Sequence, residues 1–312
     1  MVCTTVGDNS MMLTRARLLT FVVGPTFGAY LLLVVATGHF MVAHAVIVGA
    51  ALVLIYVPRL RPWMTLLLPF FLFGVTYDAM RFVVPLAREL IPVQVAGPYR
   101  LELALFGVPG TGATPMLASA FLAQHTHVAI DLVTAFAYLF YFAQTFLVAF
   151  WLLWRNRPLL ARFGWTYLAL NFAGFVTYFL YPAAPPWYVE QYGLGPVVLD
   201  APASAARLAD VDAHLGISLF RSFYAQSANV FAAIPSLHAA DPLLAWLYVR
   251  LHLHDGPHAR WHWTFGAFWL LVCFGAIYLG HHYVIDVVLG SAYALVAYLA
   301  AQALARRRAQ SS

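Results

Sequence analysis

The sequence predicts an all-α, polytopic membrane bundle of about eight transmembrane helices. Three observations predict it. Hydrophobic residues make up 63% of the 312 positions and charged residues only 9%, where soluble domains carry roughly 25% charged residues. Apolar runs near the length that crosses a bilayer, about 20 residues, recur along the whole chain. Short polar connections rich in arginine and proline separate them.

The runs follow in order. Arg15 and Arg17 precede the first, residues 18–37, which is too long for a signal-peptide core and lacks a cleavage site, so it is read as a retained span. The second covers residues 41–57 and ends at Pro58-Arg59-Leu60-Arg61-Pro62. The third covers 63–84, and a mixed segment with Gly, Pro and two glutamates follows to 127. The fourth, 128–154, ends at Arg155 and Arg157, and the fifth covers 163–181. A long loop, 182–234, rich in Pro, Ala, Asp and Tyr, leads to a short sixth run at 237–251. A histidine-rich turn at 252–262 precedes the seventh, 263–279, and the eighth covers 283–303. The expected organisation is two N-terminal helices (1–62), a six-helix membrane domain (63–305) and a short tail (306–312).

All seventeen basic residues are arginine. Eight spans put both termini on one side, and twelve arginines fall on that side against five on the other. Positive charge marks the cytoplasm. Both termini are therefore expected to be cytoplasmic, with the 182–234 loop outside. The isoelectric point near 9.3 reflects these topological arginines, and no basic stripe points to nucleic acid. Cys3 and Cys273 are not expected to form a disulfide.

Two pieces carry chemistry: Pro235-Ser236-Leu237-His238 and Gly280-His281-His282-Tyr283-Val284-Ile285-Asp286. Both fall on the expected extracytoplasmic face. On a helix, His282 and Asp286 would lie one turn apart on one side. A carboxylate there holds one imidazole nitrogen and leaves the other free to attack. His238 offers a second imidazole as proton donor, since imidazole titrates near neutrality. His281 is expected to pack or cap. Ser236 serves either as a helix N-cap or, with nearby backbone N–H groups, as a cradle for phosphate oxygens. Asp131 falls inside the fourth span, where an ionisable group needs a partner; His127 is the nearest candidate for a structural bond, and a contact to a substrate hydroxyl is the alternative. His252, His254, His258 and His262 have irregular spacing and no Cys or Glu beside them, which argues against zinc. No His-Glu-x-x-His occurs, which disfavours a metalloprotease.

Pro-Ser-Leu-His followed by His-Tyr-x-x-Asp resembles the second and third signatures of the type-2 phosphatidic acid phosphatase superfamily. Tyr181-Pro182-Ala183-Ala184-Pro185-Pro186-Trp187 is similar to the Pro-x-Ala-Pro-Pro-Trp stretch of its inositol phosphorylceramide synthase branch. The resemblance covers residues 63–303 and implies a six-helix catalytic core. It implies His282 as nucleophile, Asp286 as its orienting carboxylate and His238 as general acid. It implies phosphoryl transfer through a phosphohistidine, with a phospholipid donor and a lipid acceptor in the bilayer and no cofactor or metal. The sequence departs from the phosphatase pattern in its third signature, where Gly275-Ala276 stands at the spacing of Ser-Arg. The basic residues of the first signature are not recognisable. Phosphate still needs cationic charge, and the candidates are Arg221 in the loop and Arg81 at the end of the third run. Trp187 and Tyr188 are expected either to line a lipid access path or to anchor in the interface belt.

The expected function is therefore a lipid phosphotransferase of the plasma membrane, moving an inositol-phosphate-like head group to an acceptor hydroxyl. One alternative is a phosphatase acting on phosphatidate or polyprenyl pyrophosphate. Another, from a different class, is a lipid transporter without chemistry, though no repeated halves are visible.

Overall fold

The computed structural model describes Thr14 and residues 16–110, 114–227, 229–253 and 259–311. Cys3, Arg15, His254 and His258 lie outside the described residues. Eight long helices coincide with the eight apolar runs: α1 (Gly24–Ala36), α2 (Val42–Tyr56), α3 (Arg61–Leu90), α6 (Val128–Arg155), α7 (Arg157–Leu180), α11 (Leu237–Leu253), α12 (His262–Tyr278) and α13 (Val284–Gln310). Short helices fill the connections: α4 (Ala96–Phe106), α5 (Ala118–Ala123), α8 (Pro186–Tyr192), α9 (Leu208–Leu215) and α10 (Leu219–Tyr224). A two-residue hairpin pairs β1 (Val108–Pro109) with β2 (Pro115–Met116). Among the described residues, four helical segments are long and apolar enough to cross a membrane: Ala16–Ala36, Pro58–Leu90, Val128–Arg155 and Val284–Gln310. The chain is an integral membrane protein.

Two compact units divide within α3, one ending at Val75 and one beginning at Thr76. In the first, α1 and α2 pack closely. A Cβ on Gly24 would stand 2.6 Å from the Tyr56 hydroxyl, and His44 Nδ1 accepts the Met41 N–H to start α2.

The second unit is built around α11, which packs against α6, α7, α12 and α13. Local chemistry sets the boundaries of these helices. His127 Nδ1 accepts the Ala129 N–H and caps α6. A single residue, Asn156, separates α6 from α7. Its Oδ1 accepts the Leu159 N–H, and Pro158 follows in the first turn, where a missing N–H costs nothing. Arg155, and Arg307 and Arg308, sit in the last turns of α6 and α13, where cations complement the helix dipole.

The N-termini of α11 and α13 lie side by side. Ser236 N donates to Asp286 O at 3.0 Å. Gly290 makes this approach possible, because a Cβ there would fall 2.0 Å from Ser236 O. The two signature pieces therefore meet at one end of the bundle, packed against the 182–234 loop.

Candidate active site

His282 is not in a helix. It lies in the turn between α12 and α13, and Tyr283 is the N-cap of α13. The expected one-turn helical pairing with Asp286 is thus replaced by a contact from the turn into the first helical turn. Asp286 Oδ2 lies 3.4 Å from His282 Nδ1 and accepts the Tyr283 N–H at 2.9 Å. A shorter bond joins His282 Nδ1 to the Ala233 carbonyl, at 3.0 Å. A carbonyl only accepts, so Nδ1 carries the proton and Nε2 of the neutral ring holds a lone pair. That lone pair faces His238 Nδ1 at 3.0 Å. His282 and Asp286 are buried, in surroundings where electrostatic contacts act strongly.

Backbone contacts hold the turn. His281 and His282 N–H both donate to Ala276 O, at 3.1 and 3.0 Å. Ala276 stands at the spacing where the phosphatase signature has Ser-Arg, and here its carbonyl ties down the turn. Gly275 beside it faces Thr134 of α6, where a Cβ would stand in ordinary contact, 3.4 Å from Thr134 Cβ. The Pro182–Trp187 stretch runs underneath. Trp187 N donates to Gly280 O at 3.1 Å, while Ala183 bonds to Phe231 and Ala233. Ala233 in turn supplies the carbonyl that holds His282. Trp187 and Tyr188 are buried with Val95, Ala184, Ala201 and Phe231, so they form neither an interface belt nor an access path. Their rings wedge the loop beneath the catalytic turn.

A column of four rings stands beside the imidazole pair. His238 stacks on Tyr138 (4.3 Å, 11°), Tyr138 on His281 (5.0 Å, 16°), and His281 on Tyr224 of α10 (4.7 Å, 22°). His281 Nε2 donates to Ala205 O at 3.2 Å. Burial, then the neighbouring His282, pushes the His281 pKa down to about 3, so this ring is neutral packing.

Sequence reasoning missed Glu102 on α4. This buried carboxylate accepts the N–H groups of Val284 and Ile285, at 2.9 and 3.1 Å, and so caps α13 two residues after His282. No local pattern could have revealed a partner 182 positions away. Asp241, one turn beyond His238, was missed as well. It is buried and accepts from Asn171 Nδ2 at 3.0 Å.

The other expected residues are placed as follows. Ser236 is buried and caps α11, its Oγ accepting the Ala239 N–H at 3.3 Å. Asp131 is buried in the first turn of α6. It accepts from the Tyr278 hydroxyl and lies 3.5 Å from His214 Nε2; His127, used as the cap, is not its partner. Arg81 is paired with Asp78 on its own helix. Arg221 is exposed on α10, one turn before the Tyr224 that stacks on His281. The guanidinium that does reach the catalytic turn is that of Arg207, which had not been singled out. Its Nε donates to Tyr278 O at 2.6 Å, and a Cβ on Gly280 would stand 3.4 Å from its Nη2. His252 packs edge-on to Trp151 and His262 lies against Trp263. Among the described residues no three His, Cys, Asp or Glu side chains gather as a metal site.

Two imidazoles in direct contact, one with its far nitrogen held by a carbonyl, at the mouth of a membrane helix bundle, define a class. The sequence model of the PAP2 superfamily matches residues 111–300, and the chain belongs to that superfamily. Within it, the chain is similar to the phosphoinositol dihydroceramide synthase of Bacteroides thetaiotaomicron, 38% identical over 238 residues, which cover 75% of this chain and 74% of the relative. It is also similar to the catalytic subunit of inositol phosphorylceramide synthase from Schizosaccharomyces pombe, 31% identical over 188 residues, covering 60% of this chain and 43% of the relative. The inositol phosphorylceramide synthase of Candida albicans is 29% identical over 144 residues, covering 45% and 28%. No solved structure matches significantly.

Proposed function

We propose that this protein moves an inositol-phosphate head group from a phospholipid donor to the hydroxyl of a ceramide-class lipid, through a phosphohistidine on His282. The observation that carries the reading is the 3.0 Å contact between His282 Nε2 and His238 Nδ1. It supplies a nucleophilic lone pair and a proton donor at one point. Nε2 attacks phosphorus and the bond to the diacylglycerol oxygen breaks, with His238 protonating that oxygen. The acceptor hydroxyl then returns a proton to His238 and attacks phosphorus, and the phosphorus–Nε2 bond breaks. The Ala233 carbonyl and Asp286 stabilise the charge on the His282 ring in both steps.

The similarity to inositol phosphorylceramide synthases supports this donor and acceptor over a phosphatase or a transporter. For the phosphate charge we assign Arg221, exposed one turn from Tyr224, and Arg207, packed against the catalytic turn. Arg81, engaged by Asp78, is a lesser candidate. Ser236, its N–H held by Asp286 O and its Oγ capping α11, is a lesser candidate that fixes the position of His238, and Asp131 supports the site through Tyr278 and His214. The arginine distribution supports cytoplasmic termini and an extracytoplasmic site; the membrane we propose is the plasma membrane.

The test uses the purified protein in mixed micelles with phosphatidylinositol carrying labelled phosphate, a ceramide or diacylglycerol acceptor, and EDTA. Label in a new inositol-phosphate lipid, absent with His282→Ala, is the expected result. Label released only as water-soluble inositol phosphate, or transfer that survives His282→Ala, sinks the reading.

A further inference from the structure

An apolar groove of about 580 Å³ lies between α6, α11 and α12. Phe136, Phe140 and Trp151 of α6 line it, with Leu253 of α11 and Phe265 and Phe268 of α12. Its volume is within the usual range of small-molecule sites. Along α6, from Phe136 to Trp151, it runs about 22 Å, somewhat more than one leaflet's hydrocarbon of about 15 Å.

One residue in this wall is polar and unexplained. Gln144 lines the groove and is only 8% exposed. Its Nε2 and its Oε1 are both buried, without a hydrogen-bond partner among the described residues. An open amide in an apolar wall is costly, and an apolar side chain of similar size would avoid that cost. Gln144 also stands one turn beyond Tyr141, whose ring lies 4.4 Å from that of His238. Residues three apart share a helix face, so the Gln144 Cα stands about 4.5 Å along the axis from that of Tyr141, whose ring touches the proposed proton donor.

We propose that this groove holds one hydrocarbon chain of the acceptor lipid, and that Gln144 reads a secondary amide a few bonds from the acceptor hydroxyl. The inference rests on the transfer reading above and adds to it the place and the group by which the acceptor is recognised. Gln144 leaves a donor and an acceptor open, and a secondary amide offers one of each in return. The ester of a diacylglycerol offers acceptors only, which leaves Gln144 Oε1 unpaired. A chain entering from the level of His238 can lie along the aromatic wall towards Trp151 while its hydroxyl stays at the imidazole pair.

The test reads binding without turnover. Full-length His282→Ala protein in nanodiscs is irradiated with an equimolar mixture of two photoreactive lipids of equal chain length. One is an N-acyl amino alcohol and the other a diacylglycerol, each with a diazirine in mid-chain. Peptide mapping is expected to find label on residues 136–151 and 264–268, with the amide lipid favoured about five- to tenfold, the worth of one or two hydrogen bonds. Adding Gln144→Leu is expected to bring that preference below twofold. A ratio within one sample does not depend on the folded fraction. Equal labelling by both lipids, a preference that survives Gln144→Leu, or label outside the groove overturns the proposal. Failure of the transfer reading shows separately, as loss of lipid product in the micelle assay while labelling persists.

Discussion

His238 Nδ1 lies 3.0 Å from His282 Nε2, and the far nitrogen of His282 lies at the same distance from the Ala233 carbonyl. The proposed nucleophile is thus held in one tautomer by a backbone atom. In this geometry the two rings are too close for a phosphoryl group to stand between them. In the proposed reaction donor binding has to part them, so that a proton on His238 faces the leaving oxygen.

Replacing His282 with Ala is expected to lower lipid transfer by about 10,000-fold or more, since the covalent path is lost. Asp286→Asn is expected to cost much less, about 10- to 100-fold. Removing the orienting carboxylate of a serine protease leaves the wrong tautomer, whereas here Ala233 O still holds Nδ1–H. The asparagine oxygen can still accept from Tyr283 N, so the melting temperature should change little. Equal losses in the two variants would show that the carboxylate, not the carbonyl, sets the tautomer.

Arg221 and Arg207 separate by what else they do. Arg221 is exposed, so Arg221→Ala is expected to lower kcat/KM about 10- to 100-fold with no change in melting temperature. Arg207 also holds the Tyr278 carbonyl at the end of α12, so Arg207→Ala is expected to lower both rate and melting temperature. An Arg221→Ala enzyme with unchanged kcat/KM removes that residue from the phosphate site.

Glu102 caps α13 from a separate helix. Glu102→Ala leaves the Val284 and Ile285 N–H groups open, at a cost of about 2 kcal/mol. It also loosens the turn carrying His282. A fall in thermal stability together with at least a tenfold fall in kcat is expected, with partial rescue by Glu102→Gln, which keeps one accepting oxygen. Full activity in Glu102→Ala would show that the turn holds its shape without the cap.

Gly290→Ala puts a methyl group where Ser236 O now sits, 2.0 Å from the new Cβ. The N-termini of α11 and α13 must then separate, which moves His238 from His282. Overpacking of this kind costs about 1–3 kcal/mol or more, and transfer should drop at least 100-fold. Gly49→Ala, which meets nothing within 4 Å, is the control. Equal behaviour of the two in a thermal-shift and transfer assay would mean that the close approach at Gly290 is not needed.

The helices and the nature of the chemistry were legible in the amino-acid order. Apolar runs become helices because a membrane leaves backbone groups no other partners, so residues 128–154 forecast α6 to within a residue. The pairing of Pro235–His238 with Gly280–Asp286 was readable because the order of the spans puts both pieces on one membrane face and because together they match two family signatures in sequence. Local geometry was less legible: the spacing of His282 and Asp286 implied a helix, yet His282 stands in the turn before it. The histidine partner assigned to Asp131 proved to be a helix cap, because an imidazole at the N-terminus of α6 serves the open N–H groups first.

What the sequence determined by itself is the family, through its paired histidine signatures, and the membrane frame that carries them. What only the tertiary structure decided is how the side chains of those signatures are held. The tautomer of His282 comes from a carbonyl 49 positions earlier, the cap of α13 from Glu102, and the ring column from Tyr138 and Tyr224. Gln144 reads as one more residue of a spanning helix until the groove beside it is seen. The physical reason is common to all of these. A backbone carbonyl is the same at every residue, and a buried partner is chosen by packing across distant segments, so neither leaves a periodicity or a spacing in the chain.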